Sequence, residues 1–97
     1  MNTSRREDME RSLNSELERW FPMSAEQLIT ELRESQDYQI AVGSQVYQFE
    51  VVLLENTDTY VHVSIAVDDG RLPYSIKPLS SSFIKQKVSG SAISDRI

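Results

Sequence analysis

Apolar residues concentrate between Tyr38 and Val67, in the runs YQIAV, QVYQFEVVLLE and TYVHVSIAV, separated by GS and NTD. Side chains alternate faces along a strand, and this alternation predicts three antiparallel strands. Gly43-Ser44 has the composition of a two-residue type II′ turn. That turn pairs Val42 with Gln45, Ile40 with Tyr47 and Tyr38 with Phe49. One face then carries Tyr38, Ile40, Val42, Tyr47, Phe49, Val51 and Leu53. The other carries Gln39, Ala41, Val46, Gln48, Glu50, Val52 and Leu54. Turn chemistry and alternation agree on the register.

In the third run Val61, Val63, Ile65 and Val67 share a face, and Tyr60, His62, Ser64 and Ala66 share the other. A loop of odd length joins the apolar faces, and Asn56-Thr57-Asp58 supplies it. Leu53 is then expected opposite Val61, and Phe49 opposite Ile65. Asp69-Gly70 has the form of a type I′ hairpin and predicts a fourth strand. Its expected pairs are Val67 with Leu72, Ile65 with Tyr74 and Val63 with Ile76. Pro73 cannot donate to a ladder, so this strand belongs at an edge.

Before the sheet, the pattern becomes helical. Ser4-Arg5-Arg6-Glu7 is a capping box, and a helix is expected from Arg5 to Phe21, with Met9, Leu13, Leu17, Trp20 and Phe21 as one apolar stripe. Glu7 and Arg11 are spaced for an i,i+4 pair, and Trp20 is a core residue on this reading. Pro22 stops the helix. Ser24-Ala25-Glu26-Gln27 is a second capping box, with Met23 and Leu28 placed for a hydrophobic staple. That helix is expected to end near Glu34 or Ser35. After Pro78, Leu79-Ser80-Ser81-Ser82 reads as a loop, and the segment Phe83–Val88 reads as a short helix or a strand. The strand is preferred, which allows a short fifth one. Met1–Thr3 and a polar tail, Ser89–Ile97, are expected to be mobile.

The fold class predicted is α+β: two N-terminal helices on one face of a four-stranded antiparallel meander, in one domain ordered over about residues 4–88. The order helix-helix-β-β-β-β is similar to small cystatin-like sheets that wrap a helix. The likeness is one of architecture, and fold does not give function.

Composition narrows the function classes. A 97-residue chain hides only about 65% of its unfolded surface, so the core is modest. With no cysteine, disulfides and thiolate metal sites are excluded. The first twenty residues carry nine charges, unlike a secretory signal, and no apolar run approaches the ~18 residues of a membrane span. A cytoplasmic address is expected. The net charge of −5 is unevenly placed. Residues 1–37 have five Arg and nine acids; residues 38–70 have five acids and no Lys or Arg; residues 71–97 have five basic groups and one acid. Acidic helices and an acidic sheet repel a phosphate backbone, so nucleic acid is not an expected partner. The basic tail suits an anionic partner or folds back on the acidic helices.

Little in the chain carries chemistry. His62 is the sole histidine, which leaves no His pair for a metal and no spare base for a triad. The expected register sets it across from Val52 and beside Lys77. Glu50, opposite Ser64 and in line with Ser75, lacks the desolvating pocket that acid–base work needs. Asp68-Asp69-Gly70 lacks the ligand spacing of an EF-hand. No phosphate-binding loop or G-x-S-x-G is present. No catalytic residue, cofactor or metal is therefore expected.

One feature exceeds what folding needs. Val46, Val52, Leu54, Tyr60 and His62 fall on the sheet face away from the helices, with Leu54 and Tyr60 as expected neighbours. A contiguous apolar cluster marks an interface, unless Phe83 or Ile84 covers it. The expectation is a non-enzymatic interaction domain, a homodimer joined through the outer sheet face or an exposed strand edge, or the binder of a small protein partner. The alternative is a small-ligand or substrate pocket between sheet and helices, lined by Tyr38, Tyr47, Phe49, Tyr74 and Trp20.

Overall fold

A computed structural model describes residues 4–88. The expected mobile ends, Met1–Thr3 and Ser89–Ile97, lie outside the described residues. Helix α1 spans Arg5–Trp20 and α2 spans Ala25–Glu31. Strands β1 (Gln36–Val42), β2 (Gln45–Asn56), β3 (Tyr60–Asp68) and β4 (Leu79–Gln86) follow. They form one antiparallel sheet in the order β1-β2-β3-β4, with both helices on one face. The class is α+β, as the sequence pattern indicates.

Both helices begin where their caps dictate. Ser4 Oγ accepts from the Glu7 N–H at 3.0 Å, and Glu7 Oε1 accepts from the Ser4 N–H at 3.2 Å. Glu7 therefore serves the cap and not Arg11. The helix pairs that form are Arg6–Glu10 and Asp8–Arg11. In α2, Ser24 Oγ accepts from the Gln27 N–H at 3.0 Å. This helix stops at Leu32, short of Glu34. Gln36 Nε2 donates to the Glu31 carbonyl at 2.9 Å, which caps the last turn and leads directly into β1.

The core lies between the helices and the inner sheet face. Met9, Leu13 and Trp20 from α1 and Ala25 and Leu28 from α2, with Leu32 just past it, meet Tyr47, Phe49 and Val51 of β2 and Val61, Val63, Ile65 and Val67 of β3. Each large aliphatic side chain so buried contributes about 1.5–3 kcal/mol. β3 shows the cleanest alternation, every odd residue from Val61 to Val67 buried and every even one partly exposed. It is one of the two inner strands, and both helices pack on it.

The first hairpin has the expected register: Val42 opposite Gln45, Ile40 opposite Tyr47, Tyr38 opposite Phe49. Gly43 has φ +63° and Ser44 does not have positive φ. A positive φ at the first turn position alone is what a type II′ turn requires.

The second hairpin corrects the expected register while keeping the faces of β2 up to Leu53. Leu53 faces Val63, not Val61, and Phe49 faces Val67, not Ile65. Thr57 is the cause. Its Oγ1 accepts from the N–H groups of Thr59 (3.2 Å) and Tyr60 (3.0 Å), and its own N–H donates to the Tyr60 carbonyl at 2.9 Å. This closes the turn later than Asn56-Thr57-Asp58 would, with Asn56 opposite Val61. An irregularity between Leu53 and Glu55 then removes one residue from the ladder. The net slip beyond it is two residues, and an even slip leaves the side chains up to Leu53 on their faces.

The fourth strand is a larger correction. Residues 72–77 are not a strand, and Asp69-Gly70 does not close a two-residue hairpin. Asp68 Oδ1 accepts from the Gly70 N–H (2.7 Å) and Asp69 Oδ1 from the Arg71 N–H (3.1 Å). Further turns follow, with the N–H groups of Ser75 and Lys77 donating to the carbonyls of Arg71 and Pro73, both at 2.9 Å. Arg5 of α1 binds the carbonyls of Arg71 and Leu72. Local bonds and this arginine thus take the backbone groups a ladder would need. Leu72 and Ile76, expected in the core, are 65% and 77% exposed. The edge strand is instead β4, which overlaps the possible fifth strand from Phe83 and takes in Leu79–Ser82, expected as a loop, because these residues pair with Val67 to Ser64 of β3. Val67 faces Leu79, Ile65 faces Ser81 and Val63 faces Phe83.

Candidate interaction surface

The outer sheet face is set by the even residues of β3 and their partners. Val52 pairs with Ser64, Glu55 with His62, His62 with Ile84, and Tyr60 with Gln86. His62 therefore stands amid Val52, Tyr60, Ile84 and Glu55, not between Val52 and Lys77. Leu54, left without a register partner at the bulge, is 53% exposed. It is not directly opposite Tyr60. Ile84 is 51% exposed and extends the patch onto β4. Val46 does not join it. That residue pairs with Ala41 near the first hairpin, and Gln48 and Glu50 separate it from Val52 on the same face. The row expected from Glu50 is also different: Glu50 faces Ala66, and Ser80 follows on β4.

A polar chain crosses the patch. Tyr60 Oη donates to Glu55 Oε1 at 3.2 Å. The same oxygen lies 3.6 Å from His62 Nδ1, while His62 Nε2 is 3.1 Å from Ser82 Oγ. The bulge and the β4 register bring these groups together, so His62 has an acid neighbour that the sequence did not place there. Carboxylate, imidazole and hydroxyl in this order form the outline of a nucleophilic relay. Two features argue against one. A separation of 3.6 Å is too long for the orienting hydrogen bond, and the Tyr60 hydroxyl already binds that carboxylate oxygen. Ser82 and Glu55 are also exposed to water. The arrangement is a polar clasp that fixes Tyr60 and His62 within an apolar surround.

On the inner face, the residues proposed to line a pocket are structural. Trp20, Tyr47 and Phe49 are buried members of the core, and Tyr38 stacks on Phe49 with ring centroids 5.6 Å apart. Trp20 Nε1 donates to Tyr38 Oη (3.0 Å), which donates to Glu16 Oε1 (2.6 Å). Burial, and then the Glu16 hydrogen bond, push the Tyr38 phenol up to about 12. Arg19 completes the group through its 3.2 Å contact with Glu16. Tyr74 lies apart, under the Arg5 guanidinium, 5.1 Å from its ring centre. These bonds satisfy the polar atoms of Trp20, Tyr38 and Glu16 within the chain.

A second cluster was not legible in the sequence. The Asp69 side chain is 1% exposed, and its carboxylate receives Arg5 Nε (2.8 Å) and Nη2 (3.1 Å). The hydrogen bond from Arg5 holds the Asp69 carboxyl below its ordinary value against the cost of burial. The pair pins the loop 69–78 to the start of α1.

Among the described residues no group of three or more His, Cys, Asp or Glu side chains is placed to hold a metal ion, and no helix is long and apolar enough to cross a membrane. No protein family, curated protein or solved structure gave a significant match to the chain.

Proposed function

We propose that this protein is a non-enzymatic interaction domain that binds a protein surface, either a second copy or another small protein, through the outer face of its sheet. One observation supports this most: Val52, Leu54, Tyr60 and Ile84 surround His62 on a face that the helices do not cover. Exposed apolar groups clustered around a few oriented polar ones are the usual composition of an interface centre. The clasp adds to the case, because Tyr60 and His62 are held by Glu55 and Ser82 before any partner arrives. Side chains ordered in advance lose less entropy on binding. The pocket between sheet and helices gains no comparable support.

The test is Val52→Glu, a charge in the middle of the patch with no core contact to lose. Circular dichroism should be unchanged. Association of the full chain, followed by amide chemical shifts on concentration or on titration with a partner, should lose its response at Val52, Leu54, Tyr60 and His62. An unaltered response in the variant would remove the outer face from the account.

A further inference from the structure

We infer that a second copy of the chain adds to the open edge of β4, joining two sheets into one. This does not rest on the outer-face reading. β4 ends the sheet without a proline or a bulge, and Lys85 is the one charge along its eight residues. The Lys87 N–H donates to the Thr59 carbonyl at 2.8 Å, which fixes the phase of the ladder. Bonded and non-bonded positions alternate in an antiparallel pair. Phe83 and Lys85 therefore bond towards β3, while Ser80, Ser82, Ile84 and Gln86 turn their N–H and C=O groups to the open side.

That edge matches itself. A dyad at Phe83 pairs Ser82 with Ile84 and Ser80 with Gln86 of the second copy, each an outward-facing position. On the inner face Phe83 meets its equivalent. Beside it lies an apolar groove lined by Leu17, Phe21 and Phe83 with Glu18 and Ser81. Phe21 is 50% exposed there, edge-on to Phe83 with ring centres 5.3 Å apart. Lys85 of each copy falls opposite Ser81 of the other, next to Glu18. Neither Glu18 nor Lys85 has an ion-pair partner among the described residues, and the Lys85 ammonium rests over the Phe21 ring, 4.1 Å from its centre. No lysine opposes a lysine. These charges favour a second copy over an unrelated extended peptide.

Sedimentation of the full chain tests this. A dimer is expected, and Ser82→Pro, which deletes an outward N–H and leaves the β3 bonds intact, should weaken it by about tenfold or more. Val52→Glu should not. The chain has no cysteine, so Ser81→Cys with Lys85→Cys gives an independent reading. Non-bonded antiparallel partners lie within disulfide reach, and mild oxidation should yield a covalent dimer even if the proline variant fails to fold. A monomer at the highest attainable concentration, a dimer sensitive to Val52→Glu but not Ser82→Pro, or no covalent dimer from the cysteine pair would each overturn the inference. None of these would remove a different partner from the outer face.

Discussion

At the scale of single residues, two polar clusters tie α1 to the rest of the chain: Arg5 with Asp69, and Trp20 and Glu16 with Tyr38. Asp69 sits in a turn dipeptide, and such residues are ordinarily solvated, but here Arg5, far away in sequence, pairs with it. With its folded pKa lowered, the ionised carboxylate contributes stability above its unfolded value of about 3.8, lost as pH falls through the folded value. Asp69→Asn should cost about 2 kcal/mol near neutrality and flatten the acid limb of a stability–pH curve from urea unfolding. Tyr38 works in the opposite direction. Its folded pKa is raised, so its contribution is complete below pH 10 and lost as pH rises to about 12. Tyr38→Phe should cost about 1 kcal/mol, since Trp20 loses its acceptor, and should remove part of the alkaline loss of stability. Calorimetry from neutral to alkaline pH would check both the size and the window.

At the scale of elements, what was legible depended on whether local chemistry acted alone. The caps at Ser4 and Ser24 and the turn at Gly43 are decided within a few residues and each formed, the Ser24 cap with the Gln27 N–H bond alone and not the full box. The turn at Thr57 was misplaced because a threonine hydroxyl can satisfy the same amides as an Asn or Asp at a neighbouring position. Asp69-Gly70 was misread because its outcome depends on a helix dozens of residues earlier, and Leu72, Tyr74 and Ile76 happened to match the strand period. The two accounts differ measurably. Leu72→Ala and Ile76→Ala should each change stability by less than about 0.5 kcal/mol, as exposed loop positions do. A buried strand would lose several times more, as Ile65→Ala should, by about 2–5 kcal/mol. Denaturant midpoints at constant slope distinguish them.

At the scale of the molecule, the candidate surface was partly legible. Parity alone put Val52, Tyr60 and His62 on one face, because an even register error leaves faces unchanged. The neighbours of His62 were not legible, since they depend on the bulge and on which segment becomes β4. Those two features set Glu55, Ser82 and Ile84 around the imidazole and leave Val46 outside. The bulge has one more consequence. Removing one residue from a strand normally turns everything beyond it inside out. Position 54 is different, because the ladder already skips it and closing the gap restores a continuous pairing from Leu53–Val63 to Glu55–His62. A chain shortened by Leu54 alone should therefore fold and melt cooperatively, whereas loss of Val52 should not be tolerated. At this slot, relatives of different length could exchange a residue without rebuilding the protein.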